Sequence, residues 1–297
     1  MVDAGWAFAR YEAVRGALPG ARFPAESARA AHLGDAVGRY DTILLDAFGV
    51  LNIGTRAIPG AVDFVAALRA ARKRVTVVSN SASVPSAATH AKFAALGFDF
   101  APAEIVTSRD ALKAALATMP ALRWGVMAAA DSRVEELGVE AAVLADDPDA
   151  YDRARGFVLL GSAGWTEARQ TMLVASLRRN PRPVLVGNPD LVAPREDGLS
   201  LEPGHYAHDL AARTGIAPVF HGKPFPDIYD LVQARLGPLD PARTLMVGDT
   251  LHTDVLGGAA FGLRTCLLRG YGLLAGEDIG ALVATSGIVP DLVAEGL

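Results

Sequence analysis

The chain has 297 residues, 51% of them apolar, which is ample for a substantial core and roughly two domains at about 150 residues each. Its net charge is −5, and the one basic run, "RAARKR" (69–74), sits where a helix would end and cations suit the helix dipole, so nucleic acid is not expected as a partner. A single cysteine, Cys266 in "LRTCLLRG", excludes an internal disulfide and reads as a buried strand residue. No apolar run approaches the ~18 residues of a membrane span, so a reducing, cytoplasmic setting without membrane association is the expectation.

In chain order, short apolar runs of strand length fall at 42–45, 74–78, 104–106, 124–127, 157–160, 184–186, 219–220, 244–247 and 265–268. Stretches of helical period lie between them. "PGAVDFVAALRAARKR" opens on Pro59-Gly60, and "TEARQTMLVASLRRN" offers Thr166 as an N-cap. "PDIYDLVQARLG" sets Ile228, Leu231, Val232 and Leu236 on one face before Gly237 stops it. This alternation predicts an α/β protein built on a mostly parallel sheet. The middle of the chain has strand and helix runs of its own and long loops, such as "NPDLVAPREDGLSLEPG", and reads as an inserted domain. The expected division is 1–108 and 216–297 for the main domain, with a helical extension over 1–38, and 109–215 for an inserted α/β domain.

Three strand runs end in polar residues. "TILL" ends in Asp46, "VTVV" in Ser79-Asn80, and "TLMV" in Gly248-Asp249. In open α/β sheets ligands bind outside the carboxyl ends of the strands, so these groups can meet in one crevice. "HGKPFPDIY" adds Lys223 between a short strand and a helix. Each piece alone also has an ordinary reading. Asp46 suits a turn, Ser79-Asn80 a solvated strand end, Lys223 the surface, and "GDTLHTD" a helix start with Thr253 as N-cap. Taken together, a carboxylate, a hydroxyl, one lysine and an acid pair are what a divalent cation and a phosphate require: hard oxygen ligands for one, donors for the other.

In this order and spacing, "LLDAFGVL", "VVSNSA", "GKPFPDIY" and "VGDTLHTDVLGGAAFGLRT" resemble the four motifs of the haloacid dehalogenase superfamily. An insert between the second and third motifs, leaving through "GNPDLVAPREDGLSLEPG", resembles the class IIA branch of phosphatases, so residues 109–215 are expected to be its cap on a Rossmann-like core. The resemblance implies a small phosphorylated substrate and Asp46 as the nucleophile of an aspartyl-phosphate. It also implies Mg2+ held by Asp46, the Phe48 carbonyl and Asp249, with Asp254 in support, and phosphoryl oxygens held by Ser79, the amides near Asn80, and Lys223. Branch members often dimerise through the cap, so a homodimer is a further expectation.

The chain departs from the pattern at Phe48, where family phosphatases carry a second aspartate that protonates the leaving group. Its loss removes general acid-base help, typically worth about 10²–10⁴-fold, and leaves the carbonyl free for the metal. Activated esters, such as aryl phosphates, need that help least. A group borrowed from the cap is the alternative, with Asn188, Asp190 and His205 as candidates; turn chemistry is an equal reading of Asn188-Pro189-Asp190. His252, inside "GDTLHTD", reads as a solvent-facing residue rather than a ligand.

Three other activities share parts of this pattern. A 2-haloacid dehalogenase also opens on "DAFG"-like sequence, but the retained Asp249 and Asp254 disfavour it. Phosphonate cleavage needs a cap lysine, and only Lys113 is present there. A phosphate-binding regulatory protein with faded turnover rests on Phe48 alone.

Overall fold

The computed structural model describes residues 2–195 and 198–297. Its larger sheet has seven strands, all parallel, in the spatial order Ala28–His32, Leu292–Gly296, Arg264–Leu268, Thr244–Gly248, Thr42–Leu45, Arg74–Ser79 and Ile105–Thr107. The inner strands read as nearly continuous apolar runs because helices cover both faces. Side chains alternate across the sheet. Ile43 and Leu45 join Val75, Val77, Leu245 and Val247 on one face with helix Ala61–Ala70, whereas Leu44, Val78 and Met246 meet Ile228, Tyr229 and Val232 of helix Asp227–Leu236 on the other.

The second sheet is also parallel, in the order Val219–Phe220, Val184–Val186, Gly156–Leu159, Trp124–Met127 and Ala141–Val143. Helix Ser108–Leu116 packs Leu112 and Leu116 under it, while helices Glu167–Arg179 and Pro203–Thr214 cover its other face with Leu173, Leu177 and Leu210. Trp124 and Trp165 are core residues.

Some expectations are corrected. Val219–Phe220 pairs with Leu185 and Val186, so the second sheet continues past the expected boundary at 215. The first 38 residues are not only helical. After helix Ala4–Ala13 they supply Ala28–His32, an edge strand of the main sheet. Two antiparallel hairpins also form, Asn52–Ile53 with Arg56–Ala57 and Val192–Arg195 with Gly198–Leu201, the second within a stretch read as a loop. No described helix is long and apolar enough to cross a membrane.

From Thr42–Leu45 the chain winds outward through Arg74–Ser79 and Ile105–Thr107, then returns on the opposite side through Thr244–Gly248. The direction of winding therefore reverses between Thr42–Leu45 and Thr244–Gly248. Such a reversal leaves a crevice at the carboxyl ends of the two strands.

Candidate active site

Asp46 and Asp249 leave those two strands side by side. The Asp46 N–H still donates to Val247 O at 2.9 Å, so the aspartate is fixed by the sheet ladder itself. After it the chain folds back, with Leu51 N and Asn52 N both donating to Ala47 O, and Gly49 takes φ +74. Glycine is needed there, since a Cβ would lie 2.6 Å from Asp249 Oδ2. A Cβ on Gly272 would lie 2.0 Å from the same oxygen, so the Asp249 carboxylate is wedged between two glycines.

Thr253 does not cap the following helix. The helix opens at Thr250 with a wide π-type turn, Leu251–Val255, in which Asp254 N and Val255 N both donate to Thr250 O. That turn folds Asp254 back under Gly248, where Thr250 N donates to Asp254 Oδ2 at 3.2 Å. Oxygens of Asp46, Asp249 and Asp254 lie within 4.8 Å of one another.

Lys223 is not on the surface. It is 2% exposed, with Nζ 2.5 Å from Asp46 Oδ1 and 2.7 Å from Asp254 Oδ1. Burial alone would lower its pKa, but the two carboxylates prevail and hold the ammonium charged. Asp46 is pushed up to about 6, because burial and the charge of Asp254 outweigh the pull of Lys223. Asp249 is raised well above the usual range by burial and by Asp254 and Asp46. Its own partners are neutral: Thr250 Oγ1 donates to Oδ1 at 2.9 Å and Leu273 N to Oδ2 at 2.7 Å. Three buried carboxylates against one lysine leave negative charge that a hard divalent cation would satisfy, so the donor set fits Mg2+. Phe48 is half-buried on the cleft wall.

Asn80 acts as a clamp. Its Oδ1 accepts from Lys223 N at 2.8 Å, and its Nδ2 donates to Lys223 O at 2.8 Å and to Asp190 Oδ1 at 2.7 Å. Ser79 is 7% exposed and lines the cleft, its Oγ accepting from Ser81 N at 3.3 Å. From the other domain come Asn188 and Asp190. Asn188 makes the turn through Oδ1, which accepts from Asp190 N at 3.0 Å, while Asp190 faces the cleft. Burial pushes Asp190 up to about 7, although the hydrogen bond from Asn80 and the charge of Lys223 pull it down. The cleft they enclose is small, about 230 Å³.

His205 is absent from this cleft. Gly204 is the residue packed under the turn, where a Cβ would lie 2.1 Å from Pro189 O. His205 follows it, roughly 100° further round the helix, and stands against Trp6 and Tyr206 with ring centroids 5.7 and 5.3 Å away. His252 does not face solvent either. It is 2% exposed, its Nε2 meets Glu12 Oε1 at 2.5 Å, and Phe8 and Tyr11 cover its ring. Tyr11 also lines the cleft and was not foreseen. Its spacing after Ala7 and Phe8 marks a helix face, but nothing in that pattern says what the face covers.

Similarity to known proteins agrees with this arrangement. The haloacid dehalogenase-like hydrolase family matches residues 43–140, and a second model, HAD-hydrolase-like, matches residues 220–297. Human chronophin is 34% identical over 255 residues, covering 82% of this chain and 85% of its own. The Gallus gallus glycerol-3-phosphate phosphatase is 33% identical over 297 residues, covering 91% and 92%. A glycerol phosphate phosphatase from Mycobacterium tuberculosis, solved in complex with magnesium, superposes with a TM-score of 0.68 at 25% identity, over 86% of this chain and 75% of its own. By fold, by the order of its acidic strand ends and by these relatives, the chain belongs to the haloacid dehalogenase superfamily of hydrolases, in the class IIA branch.

Proposed function

We propose that this hydrolase is a magnesium-dependent phosphatase of a small phosphate monoester, a sugar or aryl phosphate, acting through an aspartyl-phosphate at Asp46. The observation that carries the reading is the buried ion pairing of Lys223 with both Asp46 and Asp254, beside an Asp249 that has only neutral partners.

Asp46 attacks phosphorus, and the ester oxygen leaves with the bonding electrons. Water then attacks the aspartyl-phosphate, releasing phosphate and restoring the carboxylate. Lys223 keeps Asp46 ionised at neutral pH and offsets charge on the phosphoryl oxygens. Ser79 and the backbone amides beside Asn80 complete the phosphoryl site. Asp46, Asp249, Asp254 and the Phe48 carbonyl would hold Mg2+, which supplies charge neutralisation when bound. The proton usually given by a second aspartate has to come from elsewhere, because Phe48 has none. Asp190 suits the task, since a carboxyl with a pKa of about 7 can both give and take a proton near neutrality.

A screen of phosphate release with Mg2+ over aryl, sugar and nucleotide monoesters tests the reading. It expects release from at least one class and none from Asp46→Asn. Release that is unaffected by Asp46→Asn counts against it.

A further inference from the structure

The family match begins at residue 43, yet helix Ala4–Ala13 is built into the cleft. Asp3 caps the helix, its Oδ1 accepting from Trp6 N at 2.8 Å. Four of its side chains then join the two domains. Trp6 meets His205 on the inserted domain. Phe8 sets its edge against His252 of the main domain, at 5.3 Å and 69°, and Glu12 pairs with the same imidazole. The Tyr11 ring stacks flat on His252, at 4.9 Å and 8°, two residues from Asp254. At the far end of that ring the Tyr11 hydroxyl accepts from Leu191 N at 3.1 Å, next to Asp190.

We propose that Tyr11 is a substrate-binding residue brought in by the N-terminal helix, donating its hydroxyl hydrogen to an oxygen on the alcohol portion of the phosphate ester. This rests on the phosphatase reading above. A phenol has one hydrogen to give and two lone pairs. Leu191 N–H occupies one lone pair, and the hydrogen is donated to none of the described residues. Tyr11 is 3% exposed and lines the same cleft as Asp46, Lys223 and Asp190, so an acceptor has to enter from the cleft. An unpaired buried donor is costly, and a ligand that supplies the acceptor relieves that cost. Burial and the charge of Asp190 hold the phenol well above its ordinary value, so it stays a neutral donor. Its ring is fixed by His252 and its oxygen by Leu191, which leaves the hydrogen little freedom. The contact selects an alcohol bearing a further hydroxyl, such as a glycerol or sugar phosphate, over an unsubstituted aryl ester.

Tyr11→Phe keeps the ring and removes only the hydroxyl. Calorimetry on Asp46→Asn, with and without Tyr11→Phe, in Mg2+, compares glycerol phosphate with phenyl phosphate without turnover. Loss of the contact should weaken glycerol phosphate about 3- to 10-fold and phenyl phosphate less than about 2-fold. Equal weakening of both esters makes Tyr11 a support for the Leu191 loop only and overturns the proposal, as does no change in either or no binding of either. Turnover is measured separately on the otherwise unaltered chain. If it fails while the selective weakening holds, the catalytic reading falls and the Tyr11 contact stands.

Discussion

Asn80 and Lys223 exchange two hydrogen bonds of 2.8 Å each, the side-chain amide of Asn80 pairing with the backbone N–H and C=O of Lys223 as a neighbouring strand would. The ammonium that reaches Asp46 and Asp254 is thus positioned from its own main chain. Asn80→Ala removes both bonds and the one to Asp190. We expect a stability loss of about 2–4 kcal/mol in urea unfolding and a fall in turnover of about tenfold or more. Unfolding and turnover that both match the parent would contradict the clamp.

Asp190 should set a pH limit. Its carboxyl is raised from the ordinary range to about 7, so the folded state holds a proton that the unfolded chain releases near pH 4. Stability from this group is present below about pH 4 and is lost as pH rises through about 7. Asp190→Asn mimics the protonated acid and can still accept from Asn80. It should melt like the parent at pH 4 and prove more stable at pH 8, by on the order of 2 kcal/mol. Turnover of alkyl phosphates, which need the proton most, should decline above about pH 7 in the parent and lose that decline in Asp190→Asn. A pH profile unchanged by the substitution would remove Asp190 from the reaction.

Phe48 lines the cleft and also borders an apolar hollow with Ile53, Ile58 and Pro194. Phe48→Asp should therefore cost about 1–2 kcal/mol of stability through lost burial. By restoring an acid beside Asp46 it should raise turnover on alkyl phosphates about tenfold or more, with less effect on aryl phosphates. An unchanged or lower alkyl rate, with Mg2+ still bound, would contradict the claim that the missing acid at position 48 limits turnover.

Chelation should abolish turnover, and Mg2+ should raise the melting temperature of the chelated protein by mass action. Asp249→Asn should remove that rise, because Asp249 is the carboxylate with no ion pair among the described residues. A rise that survives Asp249→Asn places the cation elsewhere.

The parts legible in the sequence were those where local pattern and tertiary role coincide. Buried parallel strands such as Thr42–Leu45 and Thr244–Gly248 are apolar on both faces, and an acid immediately after such a run must emerge at the sheet's carboxyl edge. Ala28–His32 carries no such run, because it is an edge strand with mostly exposed side chains. Val192–Arg195 lay within a stretch read as a long loop, and its Pro194, a residue that central strands exclude, is tolerated in a two-stranded hairpin. His252 and Tyr11 lay beyond sequence reasoning for one shared reason. The two rings stack on each other across a separation of 240 residues, as measured from Glu12 to His252, and no periodicity records that meeting.

The most direct measurement is mass analysis of protein quenched with acid during turnover of phenyl phosphate in Mg2+. The account predicts one phosphoryl group on the peptide that contains Asp46, absent from Asp46→Asn. Steady phosphate release with that peptide unmodified, or with the phosphoryl group on another residue, would contradict it.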